Sequence, residues 1–185
     1  MKLKALFIAM LCTLTAEAND VNILDFGALP TGMTLTTEAI QKAIDHCAET
    51  GGGTVNVPPG TYLTHSLYLR SNVNFHIQKG ATILGSTDPM AFRGGVVNVH
   101  DVENASVTGL GKIDGQGSQN FYPESGRRHN NLFLLNSKNI TVKDITLVNS
   151  SNWIFRIKQC DGVIVRGIRI YSFTNVNNDG IDVEG

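Results

Sequence analysis

Two short stretches late in the 185-residue sequence carry the side chains best suited to chemistry. Trp153, Arg156 and Lys158 lie on one stretch, and Asn177, Asp179 and Asp182 follow on the other. A carboxyl group donates or takes a proton according to its protonation state. An indole offers an apolar platform with a polar handle, and guanidinium and ammonium groups pair with carboxylates. Such a set fits work on an anionic sugar chain. Each member also has a plain role. Asp179 stands before Gly180, a combination that favours a turn in which the aspartate bonds its own backbone. Asp182 alternates with Ile181 and Val183, which turns it outward, where pairing with Lys158 one coil below is the expected structural use and substrate contact the candidate function. Asn177 suits a turn or an asparagine ladder as well as a substrate contact. Trp153, the single tryptophan, follows the loop Asn149-Ser150-Ser151-Asn152 and is open between core and sugar platform.

Only a repetitive scaffold brings these two stretches together. Asn72-Val73-Asn74-Phe75-His76-Ile77 has counterparts starting at Asn104, Asn139 and Gly162, each a short alternating strand approached through a turn residue. The last two copies are 23 residues apart. A second strand follows each (Ile145-Thr146-Leu147 and Ile168-Arg169-Ile170) and a third precedes each (Leu132-Phe133-Leu134 and Phe155-Arg156-Ile157). A period in the low twenties with three short strands is a β-solenoid, in which stacking buries the apolar face that no single repeat can bury. The leucine and asparagine ladder of a leucine-rich repeat is absent. Ile181 and Val183 begin the next coil, and larger spacings upstream imply loop insertions.

Before the repeats comes a helix. Ile40, Ala43, Ile44 and Cys47 share one face, Thr36 or Thr37 is placed to cap it, Glu38 suits its positive end, and Gly51-Gly52-Gly53 stops it. Its apolar face is expected to cover the open end of the solenoid. Strands over Thr54–Val57 and Tyr62–Leu69 follow, separated by Pro58-Pro59-Gly60. The other candidates have bland readings. His46, His65 and His76 are solvated or packed, Arg127-Arg128-His129 is a loop face that could touch an acidic polymer, and Asp114 belongs to a turn.

Residues 1–18 read as a signal peptide: Lys2 and Lys4, an apolar run over Ala5–Leu14, then Ala16-Glu17-Ala18. The run is too short to span a bilayer, so a secreted protein is expected, extracellular or periplasmic, with no membrane partner. A formal net charge of −1 gives no footprint for nucleic acid. Residues 19–185 are long enough for one domain with a real core. Removing the signal takes Cys12 and leaves Cys47 and Cys160, which show no metal-ligand spacing and are expected as separate buried thiols. Sequons stand at Asn104, Asn139 and Asn149.

Longer motifs add a resemblance. Asp25-Phe26-Gly27-Ala28, the helix, and the run Gly52-Gly53-Thr54-Val55-Asn56-Val57-Pro58-Pro59-Gly60-Thr61-Tyr62 resemble the N-terminal part of pectin-lyase-like β-helices. Gly109-Leu110-Gly111-Lys112-Ile113-Asp114-Gly115-Gln116-Gly117 resembles the polygalacturonases, family 28 of the glycoside hydrolases. Asn177-Asn178-Asp179-Gly180-Ile181-Asp182 is similar to that family's Asn-Thr-Asp-Gly motif. The resemblance implies an all-β fold, a right-handed parallel β-helix with an N-terminal capping α-helix, truncated at its C-terminal end. It also implies inverting hydrolysis of α-1,4-galacturonosyl linkages in pectic polysaccharide by a monomer without metal or organic cofactor. Asp179 maps to the water-activating carboxylates, with Asn177, Trp153 and Asp182 as substrate-binding candidates. The family's aspartate pair, its Gly-His-Gly histidine and its Arg-Ile-Lys clamp would lie beyond Gly185. Arg156-Ile157-Lys158 spells the clamp but precedes the aspartate, and reads as an ordinary strand with two outward cations. On this expectation the 185 residues hydrolyse negligibly, and an unpaired strand edge lowers their solubility. Two rivals stand beside it: a non-catalytic carbohydrate-binding or adhesion β-solenoid, and a calcium-dependent pectate lyase, whose acidic cluster is not evident.

Overall fold

Parallel strands with a short rise between turns stack into three sheets in a computed structural model that describes residues 19–185. The expected signal peptide and Cys12 lie outside the described residues. The first sheet stacks β1 (Asn19–Asn22), β3 (Gly53–Val57), β6 (Val73–Ile77), β9 (Ser106–Thr108), β12 (Lys138–Lys143) and β15 (Asp161–Arg166), in that order. The second stacks β2 (Thr31–Leu35), β4 (Gly60–Thr64), β7 (Ala81–Gly85), β10 (Lys112–Asp114), β13 (Thr146–Val148) and β16 (Arg169–Tyr171). The third stacks β5 (Leu67–Tyr68), β8 (Gly95–His100), β11 (Asn130–Leu135), β14 (Phe155–Lys158) and β17 (Ile181–Glu184). The chain visits third, first and second sheet in rotation, which makes a parallel β-helix, right-handed as parallel crossovers require. The four sequence copies fall on β6, β9, β12 and β15, consecutive rungs of one sheet.

Register explains why alternation sufficed to build a core. Val21, Val55, Phe75, Val107, Val142 and Val165 stand one above another in the first sheet. Tyr62, Ile83, Ile113, Leu147 and Ile170 do so in the second. Leu67, Val97, Leu132, Phe155 and Ile181 form the third column. Most of these side chains are buried, each contributing about 1.5–3 kcal/mol. Toward the last coil burial fades: Val163, Val165, Ile168 and Ile170 are half-buried, and Ile181 and Val183 are exposed.

Between rungs the chain turns through left-handed residues, and asparagine fills them. Asn72, Asn104 and Asn139 have φ of 63°, 56° and 53°. The Asn104 amide donates to Asn72 Oδ1 and the Asn139 amide to Asn104 Oδ1. Two of the three sequons are thus spent on a ladder. Gly109 marks a closer approach, since at φ 109° a Cβ there would lie 2.1 Å from the Ile77 carbonyl oxygen.

The helix α1 (Thr37–Glu49) buries Ile40, Ala43, Ile44 and Cys47 and packs on β1, β3, β5 and β6, closing the N-terminal end of the column as expected. Its start corrects one expectation. Thr36 is the cap residue but its hydroxyl donates to Leu63 O instead of accepting from the first turn, and Thr37 Oγ1 accepts from His65 N. The helix also completes a sheet edge. Gln41 Nε2 donates to Tyr68 O at 2.9 Å and Gln41 Oε1 accepts from Tyr68 N at 2.9 Å, so one amide acts as the missing strand below β5. The Tyr62–Leu69 segment is two strands, not one, because His65 and Ser66 turn the corner onto the third sheet. Cys47 and Cys160 are free thiols, as expected, but only Cys47 is buried; Cys160, near the last coil, is half-buried.

Candidate functional site

The outward positions of the third sheet form a continuous wall. One row runs Tyr68, Asn98, Phe133, Arg156, Asp182; the next runs His100, Leu135, Lys158, Glu184. The lower part is aromatic: His100 meets Tyr68 and Phe133 edge-on, with centroids at 6.0 and 4.8 Å. Burial lowers the His100 pKa, against a smaller upward pull from Asp101. The upper part is charged. Arg156 lies over the Trp153 ring at 4.5 Å and near the Phe133 ring at 5.3 Å, so its guanidinium is held by two π faces.

The carboxylates meet these cations in an arrangement different from the one expected. Asp182 stands opposite Arg156, with Oδ2 at 3.6 Å from Arg156 Nε, and not opposite Lys158. Lys158 instead meets Glu184 at 3.0 Å, and Glu184 also accepts from Arg156. Parallel register is the reason: Asp182 is level with Arg156 and Glu184 with Lys158. Hydrogen bonds from Arg156 and then Lys158 hold the Glu184 carboxyl below the usual carboxylate range. Sequence reasoning passed over Glu184, although it continues the alternation that turned Asp182 outward. The outward cations of Arg156-Ile157-Lys158 are as anticipated.

Asp179 is exposed, just before β17. Its carbonyl accepts from Ile154 N at 3.0 Å and that of Gly180 from Phe155 N, which fixes the segment on the rung carrying Trp153. Extending the β14–β17 register puts Asp179 level with Trp153, so the two expected stretches do come together. Trp153 is half-buried and tied up by Arg156, neither core nor free platform. Asn177 is exposed with φ 54°, the turn role anticipated for it. Its neighbour Asn178 does more: its amide donates to Ser150 O and Asn152 O, and its oxygen accepts from Ser172 Oγ, clipping the loop to the rung below.

A second loop leans on this one. Residues 115–129 form the insertion between β10 and β11. Asn175 Nδ2 donates to Gly117 O and Tyr122 O, and Arg128 donates to Val176 O. The expectation of a solvated Arg127-Arg128-His129 face fails at its last member. His129 is 1% exposed, stacked on Phe92 at 4.1 Å and edge-on to Tyr122 at 4.7 Å. Its Nε2 donates to Gly115 O at 2.9 Å, and Nδ1 meets Ser151 Oγ at 3.0 Å. Burial drives its pKa down to about 4 against the pull of the Gly115 carbonyl. Nothing periodic in 115–129 marked that histidine as buried. Asp114 is the last residue of β10 and not itself in a turn, but its carboxylate does the turn chemistry expected of it, accepting from Gln116 N and from Asn149 Nδ2. His76 pairs with Thr108 and His46 with the Phe26 ring, both packing roles.

The wall can hold an extended chain and place an exposed carboxylate beside it. Comparison with known proteins gives the wall its relatives. A Dickeya chrysanthemi exo-poly-alpha-D-galacturonosidase is 35% identical over 127 residues, covering 57% of this chain and 21% of that protein. The crystal structure of a hyperthermoactive exopolygalacturonase from Thermotoga maritima superposes with a TM-score of 0.81 at 25% identity, over 88% of this chain and 49% of that one. The plasmin and fibronectin-binding protein A of Streptococcus pneumoniae is 32% identical over 157 residues, 72% of this chain and 21% of that protein. The chain thus spans half or less of the length of each. The family model described as glycosyl hydrolases family 28 matches residues 47–185, from the third turn of the helix through the last strand of the wall, and the chain belongs to that family.

Proposed function

We propose that this chain forms part of a secreted glycosidase that hydrolyses α-1,4-galacturonosyl linkages of pectic polysaccharide with inversion. Asp179 is one of the carboxylates that activate water. The observation that carries the reading is the placement of Asp179: exposed, level with Trp153, at the head of a wall of aromatic and paired charged side chains, inside the Asn-x-Asp-Gly motif. Named relatives that act on galacturonan support the substrate class, and the N-terminal charge, apolar run and Ala-Glu-Ala order support export.

Inversion needs a second carboxyl group, protonated, across the scissile bond. Glu184 is held ionised by Arg156 and Lys158, and Asp182 Oδ2 is sealed from solvent beside Arg156, so neither suits the donor's role. The 185 residues by themselves are therefore expected to bind oligogalacturonate over neutral glucan while releasing negligible reducing ends. Calorimetry with both sugars and a reducing-end assay on polygalacturonate test this. Equal affinity for the two sugars would sink the substrate class. Robust turnover abolished by Asp179→Asn would overturn the expected inactivity and leave the role of Asp179 standing.

The likeness to the Streptococcus pneumoniae protein favours a second reading, an adhesion or carbohydrate-binding solenoid without chemistry. Under that reading Asp179→Asn changes neither sugar affinity nor turnover.

A further inference from the structure

At the lower end of the same wall the loops build a cationic cleft. Phe92, Arg93, Gly94, Arg127 and Arg128 line a cleft of about 420 Å³. Arg93 and Arg127 are exposed, and none of the three arginines has a carboxylate within ion-pair distance among the described residues. The contrast with Arg156 and Lys158, both neutralised by carboxylates one rung away, is sharp.

The cleft is continuous with the wall and firmly built. Gly94, at φ 98°, lies so close that a Cβ there would stand 2.9 Å from the Phe133 ring, the same ring that Arg156 approaches at 5.3 Å. Arg93 is fixed through its backbone: its N–H bonds Ser66 Oγ and its carbonyl accepts from the Tyr68 hydroxyl. Arg127 and Arg128 are positioned by the buried His129 next to them, itself clasped by Ser151 and Gly115. Arg128 spends one donor on Val176 O, in the loop that carries Asp179.

Arg93 precedes β8, Arg127 and Arg128 precede β11, and Asp179 precedes β17. With β14 between β11 and β17, the two arginine positions lie two and three strand steps from Asp179. At about 4.8 Å per step this is a rise of roughly 10 and 14 Å along the stacking axis, a span of a few sugar rings.

We propose that this cleft is a remote subsite for the carboxylate of a uronate residue, the Arg93 and Arg127 guanidinium groups gripping it while the chain runs along the wall toward Asp179. The inference rests on the proposed galacturonan substrate and adds the residues that select its charge. Arginines that line one cleft with no carboxylate among them repel one another, and a planar carboxylate relieves that repulsion with fork geometry. Unpaired charge in a concave site also raises the local concentration of an anionic polymer.

The test is titration calorimetry of the full chain with an oligogalacturonate of eight or more residues at low salt, using Arg93→Gln/Arg127→Gln and, as a control away from the wall, Arg169→Gln on β16. Both arginines of the double variant are exposed, and thermal melts check that it folds as the parent does. The expected result is a tenfold or greater loss of affinity and a shallower salt dependence in the double variant, with Arg169→Gln unchanged. Affinity within twofold of the parent overturns the subsite while leaving the substrate assignment intact. An equal loss in Arg169→Gln also overturns it, by reducing the effect to general charge. A parent that fails to prefer oligogalacturonate over neutral glucan overturns the substrate assignment and the subsite with it.

Discussion

Acid should loosen this protein through one side chain. In the folded state His129 is stripped of water, stacked on Phe92, and satisfied as a neutral ring by the Gly115 carbonyl and the Ser151 hydroxyl. Its pKa falls from an ordinary 6.5 to about 4, burial being the chief cause. In the unfolded chain the same ring takes up a proton below about pH 6.5. Its contribution is therefore complete above pH 6.5, declines as pH falls toward 4, and is gone below that. At about 1.4 kcal/mol per pKa unit the loss totals about 3 kcal/mol, a large share of the 5–15 kcal/mol typical of a domain. The assay is urea unfolding at several pH values between 7 and 4, for the parent and for His129→Gln. The variant loses packing at every pH, but the gap between the two proteins should shrink by about 3 kcal/mol over that range. Every other group is common to the two proteins and cancels in the difference. A gap that stays constant from pH 7 to 4 would refute the argument, because it would mean that His129 charges in place without resistance.

Other perturbations follow from the same contacts. Gln41→Leu leaves the N–H and carbonyl of Tyr68 without their partner and should cost about 1–3 kcal/mol in urea unfolding, with no change in sugar affinity. Asp179→Asn removes a negative charge beside an anionic ligand and should tighten oligogalacturonate binding about two- to fivefold at low salt, an effect that fades as salt is raised. Arg156→Gln should raise the Glu184 pKa toward that of a free carboxylate, which carboxyl-carbon NMR titration would read directly.

Much of this was legible in the sequence because a solenoid repeats its instructions. Val107 and Val142 look alike in sequence and stand one rung apart in space, so the shared period-2 pattern was enough to place β9, β12 and β15 in one sheet, while the 23-residue spacing links only β12 and β15. The helix was equally plain, since its buried face follows from spacing alone. What stayed hidden depends on register and on irregular chain. Pairing Asp182 with Lys158 was off by one alternate position, because composition does not say which outward residue lies level with which. Spacing offers Thr36 or Thr37 as the helix cap, yet the Leu63 carbonyl takes the Thr36 hydroxyl and the His65 N–H takes Thr37 Oγ1. Residues 115–129 have no period at all, so neither the burial of His129 nor the gathering of Arg93 with Arg127 could be read from them.

The distribution of charge along the wall divides its arginines into two kinds. Residues on strands are held level by the ladder, so any cation with a carboxylate at the matching position one coil later is neutralised by construction: Arg156 by Asp182 and Glu184, Lys158 by Glu184. Such groups have little left to offer an incoming anion, and their removal is felt by the fold. Arg93 and Arg127 come from loops outside the ladder and face no such partner among the described residues. A double dissociation follows. Arg156→Gln should lower the melting temperature, since it breaks the pairing with Glu184 and Asp182, and change oligogalacturonate affinity less than twofold. Arg93→Gln/Arg127→Gln should leave the melting curve in place and take the affinity. If Arg156→Gln weakened binding as much as the loop pair does, the self-neutralised wall would be the wrong picture, and the strands themselves would be the surface that reads the uronate charge.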